Sequence, residues 1–194
     1  MTLSLCVYCG SRDGLDPAHL AAAREIGREI GQRGWRLVYG GGHTGLMGAV
    51  ADAALAAGAE VIGIIPDRLI ERELGHGGVT ELQVVGSMHE RKQKMAEQSD
   101  AFIALPGGIG TMEEIFEIWT WRQLGYHRKA LGLLNVAGYY DGLLAFLRTS
   151  VASGFMGDWQ MELLQADMSA EPLLRNLVQA SGPDQALTPL RSVI

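Results

Sequence analysis

A glycine-rich segment that ends in two acidic residues carries the strongest chemical signal in this sequence. It reads LPGGIGTMEE from Leu105 to Glu114, follows an apolar run and opens a predicted helix. Free N–H groups and the dipole of a helix N-terminus attract anions, and glycines let a phosphate approach those groups. The segment therefore predicts a monophosphate site. Thr111 and Glu114 also have the spacing of a capping box, in which both side chains serve only the helix end, and that alternative stays open.

Glu114 has the position expected of a catalytic carboxylate. It follows Thr111 by three residues and shares one face of the helix with it. If Thr111 and the glycine amides hold a 5'-phosphate, Glu114 lies one helical pitch, about 5 Å, further along and close to the ribose. We expect the helix dipole to keep this carboxylate ionised, as stabilising positive charge at the anomeric carbon requires.

A second charged segment reads SMHERK from Ser87 to Lys92 and begins another predicted helix. Arg91 presents the guanidinium that phosphates and carboxylates prefer, and Lys92 adds a second cation. A solvated helix face is the competing interpretation. Only the neighbouring segments favour a functional one.

The segment GGGHTGLMG, at positions 40–48, contains a third cluster of glycines. Gly40, Gly42 and Gly45 match the G-x-G-x-x-G pattern, but the segment follows the second predicted strand, and Glu60 begins the next strand instead of ending it. NAD is therefore disfavoured. The segment also lacks the Lys-Ser/Thr ending of a P-loop, which disfavours a nucleoside triphosphate. Its glycines either let a ligand approach the backbone, with Gly42 as a candidate contact, or let a helix and a strand pack closely together.

The elements around these segments alternate between apolar runs and amphipathic helical runs. Strands are predicted at 3–8, 35–39, 61–65, 82–85, 101–105 and 130–134, and helices at 17–33, 44–57, 89–98, 111–124 and 139–152. This alternation predicts a doubly wound α/β fold, Rossmann-like, with a mostly parallel sheet and helices on both faces. Ligands of such sheets bind beyond the carboxyl ends of the strands. Gly10 and Ser11 follow the first strand, where a phosphate or ribose contact and a tight turn explain them about equally well.

The length and the charge of the chain limit the classes of function that it can have. The 194 residues fit one domain, predicted at 1–181, with a loosely held tail at 182–194. A formal net charge of −6 argues against nucleic acid as a partner and favours a small molecule. We expect no transmembrane helix and a cytoplasmic location, because the apolar runs are short and the N-terminus lacks a signal peptide. Cys6 and Cys9 are predicted to be reduced, buried thiols.

The sequence predicts neither a metal nor an organic cofactor. The five histidines show no local ligand spacing such as H-E-x-x-H. A pyridoxal phosphate enzyme needs a Schiff-base lysine, and the chain offers only Lys92, Lys94 and Lys129 in a length that is short for such a fold.

Two motifs together resemble the signature of the LOG (Lonely Guy) family. They are M-H-x-R-K at 88–92 and P-G-G-x-G-T-x-x-E at 106–114, and the similarity extends over roughly residues 3 to 165. This family was long labelled lysine decarboxylase, and its members resemble cytokinin riboside 5'-monophosphate phosphoribohydrolases. The resemblance implies a homodimeric hydrolase that splits AMP or an N6-modified AMP into free base and ribose 5-phosphate.

The resemblance also implies roles for individual residues. Arg91 and Glu114 match the family's catalytic pair, and Glu73 matches a substrate-binding glutamate. The remaining matches to substrate contacts are Lys92, Gly107, Gly108, Ile109, Gly110, Thr111, Met112, Glu113 and Thr120. Plant members often carry an aromatic residue at the position of Ile109, so the implied preference for a prenylated base does not follow here. Molybdenum-cofactor carrier proteins resemble the same fold, which leaves a non-catalytic nucleotide or cofactor carrier as the alternative; the presence of both Arg91 and Glu114 favours the enzyme.

Overall fold

The structure, a computed structural model, describes residues 2–181, apart from the side chains at positions 71 and 72. The predicted tail at 182–194 lies outside the described residues. Strands and helices alternate along the chain in this order: β1 Ser4–Tyr8, α1 Pro17–Gln32, β2 Arg36–Tyr39, α2 Gly45–Ala56, β3 Glu60–Pro66, α3 Ile70–Glu73, β4 Glu81–Val85, α4 Met88–Glu97, β5 Ala101–Ala104, α5 Ile109–Gln123, β6 Ala130–Leu134, α6 Asp141–Ala152, α7 Asp158–Glu162, β7 Leu164–Asp167 and α8 Ala170–Ala180. Within this range, no helix combines the length and the apolar character that crossing a bilayer requires.

The strands form one parallel sheet in the order β4-β3-β2-β1-β5-β6-β7. Its register places Val7 of β1 between Tyr39 of β2 and Ile103 of β5. One apolar cluster packs α1, α2 and α8 against one face, and a second packs α4, α5 and α6 against the other. The predicted doubly wound fold is therefore confirmed. Cys9 belongs to the first cluster and Cys6 to the second, and both are free thiols, as expected for residues three apart in and just after a strand.

The sequence did not predict the C-terminal elements β7 and α8. Strand β7 is four residues long and includes the polar Gln165 and Asp167. It pairs with β6 at the edge of the sheet, where one side of a strand has no partner and an apolar run is not needed. Helix α8 then buries Leu173, Leu174 and Leu177 against the sheet and closes that end of the core.

Strands β2 to β4 lie on one side of β1, and β5 to β7 lie on the other. The strand order therefore reverses between β1 and β5, and the loops that follow these two strands lie at this reversal. The chain leaves β1 toward α1 on one face and leaves β5 toward α5 on the other. The loops that follow β1 and β5 are linked by a hydrogen bond, which the Gly10 N–H donates to the Pro106 carbonyl oxygen at 3.0 Å. A crevice at such a reversal is where open α/β sheets bind ligands.

Candidate active site

Arg91 is directed into the protein from the first turns of α4. Ser87 caps this helix by accepting a hydrogen bond from the Glu90 N–H at 3.1 Å. The Arg91 side chain is only 6% exposed, and its Nη2 donates to the Gly40 carbonyl oxygen at 3.1 Å. A Cβ on Gly40 would lie 1.9 Å from the same nitrogen. Gly40 is therefore required to leave room for the guanidinium.

The Arg91 guanidinium lies between two carboxylates from different elements. Its Nη2 is 4.0 Å from Glu73 Oε2, at the end of α3, and 4.0 Å from Glu114 Oε1, on α5. Arg91 Nε and Glu73 Oε2 are buried, and neither has a hydrogen-bond partner among the described residues. Buried polar atoms are nearly always paired with protein or ordered water. The unpaired atoms therefore point to a position that a ligand or water completes.

Glu114 is the most strongly perturbed carboxylate of this group. Its side chain is 10% exposed. Burial raises the pKa of Glu114 to about 7; Arg91 opposes this rise, whereas Glu113 and Glu73 add to it. Burial thus opposes the helix dipole, which we expected to keep this carboxylate ionised. Near neutral pH the group is divided between its acid and ionised forms, as suits proton transfer.

Helix α5 begins earlier than predicted, and Thr111 is therefore not its N-cap residue. Its N-cap is Gly108, so Thr111 is the third helical residue and Glu114 lies in the second turn. The capping-box interpretation is therefore wrong. The first-turn N–H groups have no carbonyl partner within the helix. A Cβ at Gly108 or Gly110 would meet nothing within 4 Å, which leaves this end of the helix open to an anion.

The loop before α5 is held by a segment that sequence analysis did not assign to the site. Tyr139 donates to the Gly107 carbonyl oxygen at 2.5 Å, and the buried Tyr140 donates to the Leu105 carbonyl oxygen at 2.6 Å. A Cβ on Gly107 would lie 2.1 Å from Thr111 Oγ1, so only glycine admits the threonine hydroxyl there. The available signal was the Gly-Tyr-Tyr sequence after β6.

Close packing explains the glycines of the segment at 40–48. A Cβ on Gly42 would lie 2.7 Å from Met47 Cε and 3.1 Å from both Cβ and the carbonyl oxygen of Glu73. Gly45 has a φ of +61°, and its Cβ would lie 2.2 Å from the Arg12 nitrogen. Gly42 thus borders the site beside Glu73, and the exposed Ser11 lies against Gly45.

Lys92 has a different environment from Arg91. Its Nζ donates to carboxylate oxygens of Glu113 and, at 3.1 Å, of Glu117. Burial lowers the pKa of Lys92, but the hydrogen bonds to these two carboxylates outweigh it and leave the pKa above its ordinary value. The structure thus places Lys92 in a complete ion-pair group with α5.

Three other predicted contacts spread along α5. Ile109 is 90% exposed at the start of the helix, and Met112 packs partly against the core. Thr120 is exposed and donates to the Phe116 carbonyl oxygen at 2.7 Å. It lies six residues, about 9 Å along the axis, beyond Glu114, so the structure does not bring Thr120 to the Arg91 group.

A groove of about 610 Å³ lies elsewhere, between α1 and α2. Arg24, Arg28 and Asp52 are among the residues that line it, whereas Arg91 and Glu114 are not. This groove is therefore separate from the candidate site, which is defined by its charged and unpaired groups.

Comparison with known proteins identifies the family of this chain. The family model described as "Possible lysine decarboxylase" matches residues 47–177. A protein of Oryza sativa subsp. japonica, named probable cytokinin riboside 5'-monophosphate phosphoribohydrolase, is 47% identical over 97% of this chain and 84% of its own length. A cytokinin riboside 5'-monophosphate phosphoribohydrolase of Arabidopsis thaliana is also 47% identical, over 89% of this chain and 80% of its own length.

Solved structures share the fold at lower identity. The molybdenum cofactor binding protein of Rippkaea orientalis superposes with a TM-score of 0.70 at 22% identity, over 93% of this chain and 97% of that one. The molybdenum cofactor carrier protein of Chlamydomonas reinhardtii gives the same TM-score at 20% identity, over 93% and 98%. These likenesses establish the architecture alone. The sequence relatives and the family model establish more: the chain belongs to the LOG family of cytokinin riboside 5'-monophosphate phosphoribohydrolases.

Proposed function

We propose that this chain hydrolyses the N-glycosidic bond of a purine nucleoside 5'-monophosphate, AMP or an N6-modified AMP. The products are the free base and ribose 5-phosphate. The observation that carries the proposal is the Arg91 guanidinium placed between the carboxylates of Glu73 and Glu114, beside the open N-terminus of α5. The names of relatives at about 47% identity support the same reaction.

The 5'-phosphate is assigned to the start of α5. The open positions at Gly108 and Gly110 let an anion reach the N–H groups of the first turn, and the helix dipole favours its charge. Thr111, buried against Gly107, contributes a hydroxyl to the same end of the helix. Ser11 and Gly42 border the crevice and are assigned secondary contacts with the ribose or phosphate.

The reaction is assigned to Glu114. Its ionised form stabilises positive charge that develops at the anomeric carbon as the C–N bond breaks. The same carboxylate takes a proton from the water whose oxygen bonds to that carbon, and the proton passes to the nitrogen of the departing base. Water is thus added across the glycosidic bond. A pKa of about 7 lets one carboxyl group accept and then return a proton.

Arg91 and Glu73 complete the assignment. Arg91 orients the Glu114 carboxylate and offers Nε, which has no hydrogen-bond partner among the described residues, to the substrate. Glu73 Oε2 is likewise buried without such a partner in the described part of the chain and is assigned a hydroxyl of the ribose. A hydrogen bond from a sugar hydroxyl to a carboxylate becomes stronger as the sugar ring becomes positively charged.

The decarboxylase label of the family model is not supported by the lysines. Lys92 is paired with Glu113 and Glu117, and Lys94 Nζ lies 3.3 Å from Glu90. Lys129 Nζ donates to the Ala96 carbonyl oxygen at 2.6 Å. None of these three amines lies in the Arg91 group. A non-catalytic carrier is the second alternative, and it gives no account of a buried carboxylate poised near neutral pKa beside an arginine.

The homodimer implied by the family resemblance remains a prediction. Apolar side chains on or next to several helices are at least one-third exposed, among them Met88, Leu124, Phe146, Trp159 and Val178. A dimer interface would remove such surface from water. Light scattering coupled to size-exclusion chromatography measures the assembly directly, and a monomer at micromolar concentration would contradict this prediction.

The deciding experiment compares nucleotides with nucleosides. Purified protein is incubated with AMP, an N6-prenylated AMP, and the two corresponding nucleosides, and free base is measured by liquid chromatography. We expect release from at least one monophosphate and little from either nucleoside, because the start of α5 supplies most of the binding. Equal efficiency on AMP and adenosine would remove the phosphate assignment. Binding of AMP without release of base from either monophosphate would favour the carrier.

A further inference from the structure

Three side chains that are distant in sequence meet beside the glycine segment at 40–48. His43 lies between β2 and α2, Asp52 lies on α2, and His76 follows α3. His76 Nε2 is 3.0 Å from Asp52 Oδ1, and His43 Nε2 is 3.4 Å from Asp52 Oδ2. One ligand atom of each residue lies within 4.8 Å of the other two. The proposed reaction uses none of these side chains.

The distances match those between ligands of one metal ion. With bonds of about 2.1 Å from the ion to nitrogen and oxygen, two ligands lie about 3.0 Å apart at a right angle and about 3.4 Å apart at a tetrahedral angle. The two nitrogen–oxygen distances in the structure, one to each oxygen of the Asp52 carboxylate, are 3.0 and 3.4 Å. Two imidazoles and one carboxylate suit Zn²⁺, Co²⁺ or Ni²⁺ better than Mg²⁺ or Ca²⁺, which prefer oxygen.

The exposure of the three side chains also suits an ion with water ligands. His76 is 5% exposed and fixed, whereas His43 and Asp52 are 48% and 59% exposed. Water can therefore reach the remaining coordination positions. The Asp52 carboxylate supplies a negative charge, and a neutral imidazole supplies a lone pair without adding charge.

The metal-free cluster is a hydrogen-bonded network, and binding requires a defined change in it. His76 Nδ1 accepts from the Gly78 N–H at 3.1 Å, so Nε2 carries the ring proton and donates to Asp52. A cation at Nε2 needs that proton on Nδ1, and the Gly78 N–H must then turn away. Residues 77 and 78 are both glycine, which has wide backbone freedom, so the turn that carries this N–H can change conformation.

We propose that His43, Asp52 and His76 form a binding site for one divalent transition-metal ion, completed by water. The ion would brace the segment that carries Glu73. This segment is already tied to the glycine segment by the His43 N–H, which donates to the Glu73 carbonyl oxygen at 3.0 Å, and by the His76 N–H, which donates to the Gly41 carbonyl oxygen at 2.9 Å. The role is structural, and the binding does not depend on the proposed reaction. Sequence analysis missed the site because its residues have no local spacing.

The test titrates Co²⁺ and then Zn²⁺ into the full chain, prepared without an affinity tag and freed of metal by a chelator. Visible absorption reports Co²⁺ coordinated by nitrogen, and calorimetry gives the stoichiometry. We expect one ion per chain, a rise in Tm with Zn²⁺, and displacement of Co²⁺ by Zn²⁺. His43→Ala and Asp52→Asn should each weaken Co²⁺ binding at least about tenfold.

These two variants are preferred over a change at His76 because their side chains are half-exposed and their loss leaves the fold intact. His89→Ala is the matched control, since it removes another exposed histidine that does not belong to the cluster. It should bind Co²⁺ as the unaltered chain does. Absence of saturable binding, or binding that persists equally in His43→Ala and Asp52→Asn, would overturn the proposal and leave a His–Asp hydrogen-bond network only.

Discussion

Two cation–carboxylate groups lie side by side between α4 and α5, and they differ in how completely their atoms are paired. Lys92 bonds to Glu113 and Glu117, so its ammonium is paired with two carboxylates within the group. Arg91, the preceding residue, lies 4.0 Å from each of Glu73 and Glu114. Neighbouring positions in both helices thus form one complete ion-pair group and one open group.

The difference between the groups separates a structural role from a chemical one. The Lys92 group has its ammonium paired within the protein, and it joins α4 to α5. An open group with buried, unpaired atoms costs free energy in the unliganded protein, and a ligand recovers that cost. The identity of the charged residues is nearly the same in both groups, so the contrast lies in geometry and burial.

The largest expected effect comes from Glu114→Gln. The amide keeps the shape of the side chain but cannot accept a proton or stabilise positive charge. We expect AMP binding to persist, while adenine release slows by at least roughly a hundredfold. Chromatography of free adenine and calorimetry with AMP measure the two quantities. Glu113→Gln is the matched control, expected to stay within a few-fold because it belongs to the complete group. Near-normal turnover in Glu114→Gln would remove its catalytic assignment.

Arg91→Lys should have the next largest effect, and Lys92→Arg is its matched control. Arg91→Lys replaces a planar guanidinium, which reaches Gly40 and both carboxylates, with a single ammonium. We expect kcat/KM to fall about tenfold to a hundredfold, since such a site does not tolerate this exchange. Lys92→Arg keeps the pairing with Glu113 and should change kcat/KM little. Equal losses in the two variants would mean that both groups serve the reaction equally.

The raised pKa of Glu114 predicts an effect on stability with a defined sign. The folded state holds this proton up to about pH 7, whereas the unfolded chain releases it near pH 4.5. Because the folded state binds more protons in this range, the group's contribution to stability is lost as pH rises from 4.5 to 7. Glu114→Gln removes that loss and should raise the free energy of unfolding at pH 8 by on the order of 1 to 3 kcal/mol.

Urea denaturation at pH 5 and pH 8 checks this sign. The gain of Glu114→Gln over the unaltered chain should be larger at pH 8 than at pH 5. Glu113→Gln should show no such gain, because the Glu113 carboxylate is half-exposed and paired with Lys92. If Glu114→Gln were destabilised equally at both pH values, the raised pKa of the buried Glu114 carboxyl group would be contradicted.

The smallest expected effect is that of Lys92→Met, which removes the cation of the complete group. Its partners are partly exposed, so we expect the loss of stability to be about 1 kcal/mol, with turnover of AMP within about twofold. Thermal unfolding and steady-state kinetics measure the two quantities. A large rise in KM with unchanged Tm would instead support the substrate contact that the family resemblance implies for Lys92.

The sequence predicted most of the sheet, because buried parallel strands are short, apolar and separated by helical periods. It failed at β7, where Gln165 and Asp167 interrupt the apolar pattern at the sheet edge. The start of α5 was predicted two residues too late, because Thr111 has the spacing of a capping residue whereas the N-cap is Gly108.

The site was predicted in part. Motif spacing identified Arg91 and Glu114, and the structure places them together with Glu73. The protonation of Glu114 could not be predicted, since it depends on burial by elements distant in sequence. The same holds for Tyr139 and Tyr140, whose hydroxyls reach a loop more than thirty residues away in the chain.

The tyrosine contacts have a consequence for how the ligand binds. Burial raises the pKa of Tyr140 far above its ordinary value, so its hydroxyl remains a hydrogen-bond donor near neutral pH. With the Leu105 and Gly107 carbonyl groups both held, the loop already has one shape before the phosphate arrives. Little chain entropy then remains to be lost on association. We therefore expect the loop to act as a rigid template for the proposed phosphate.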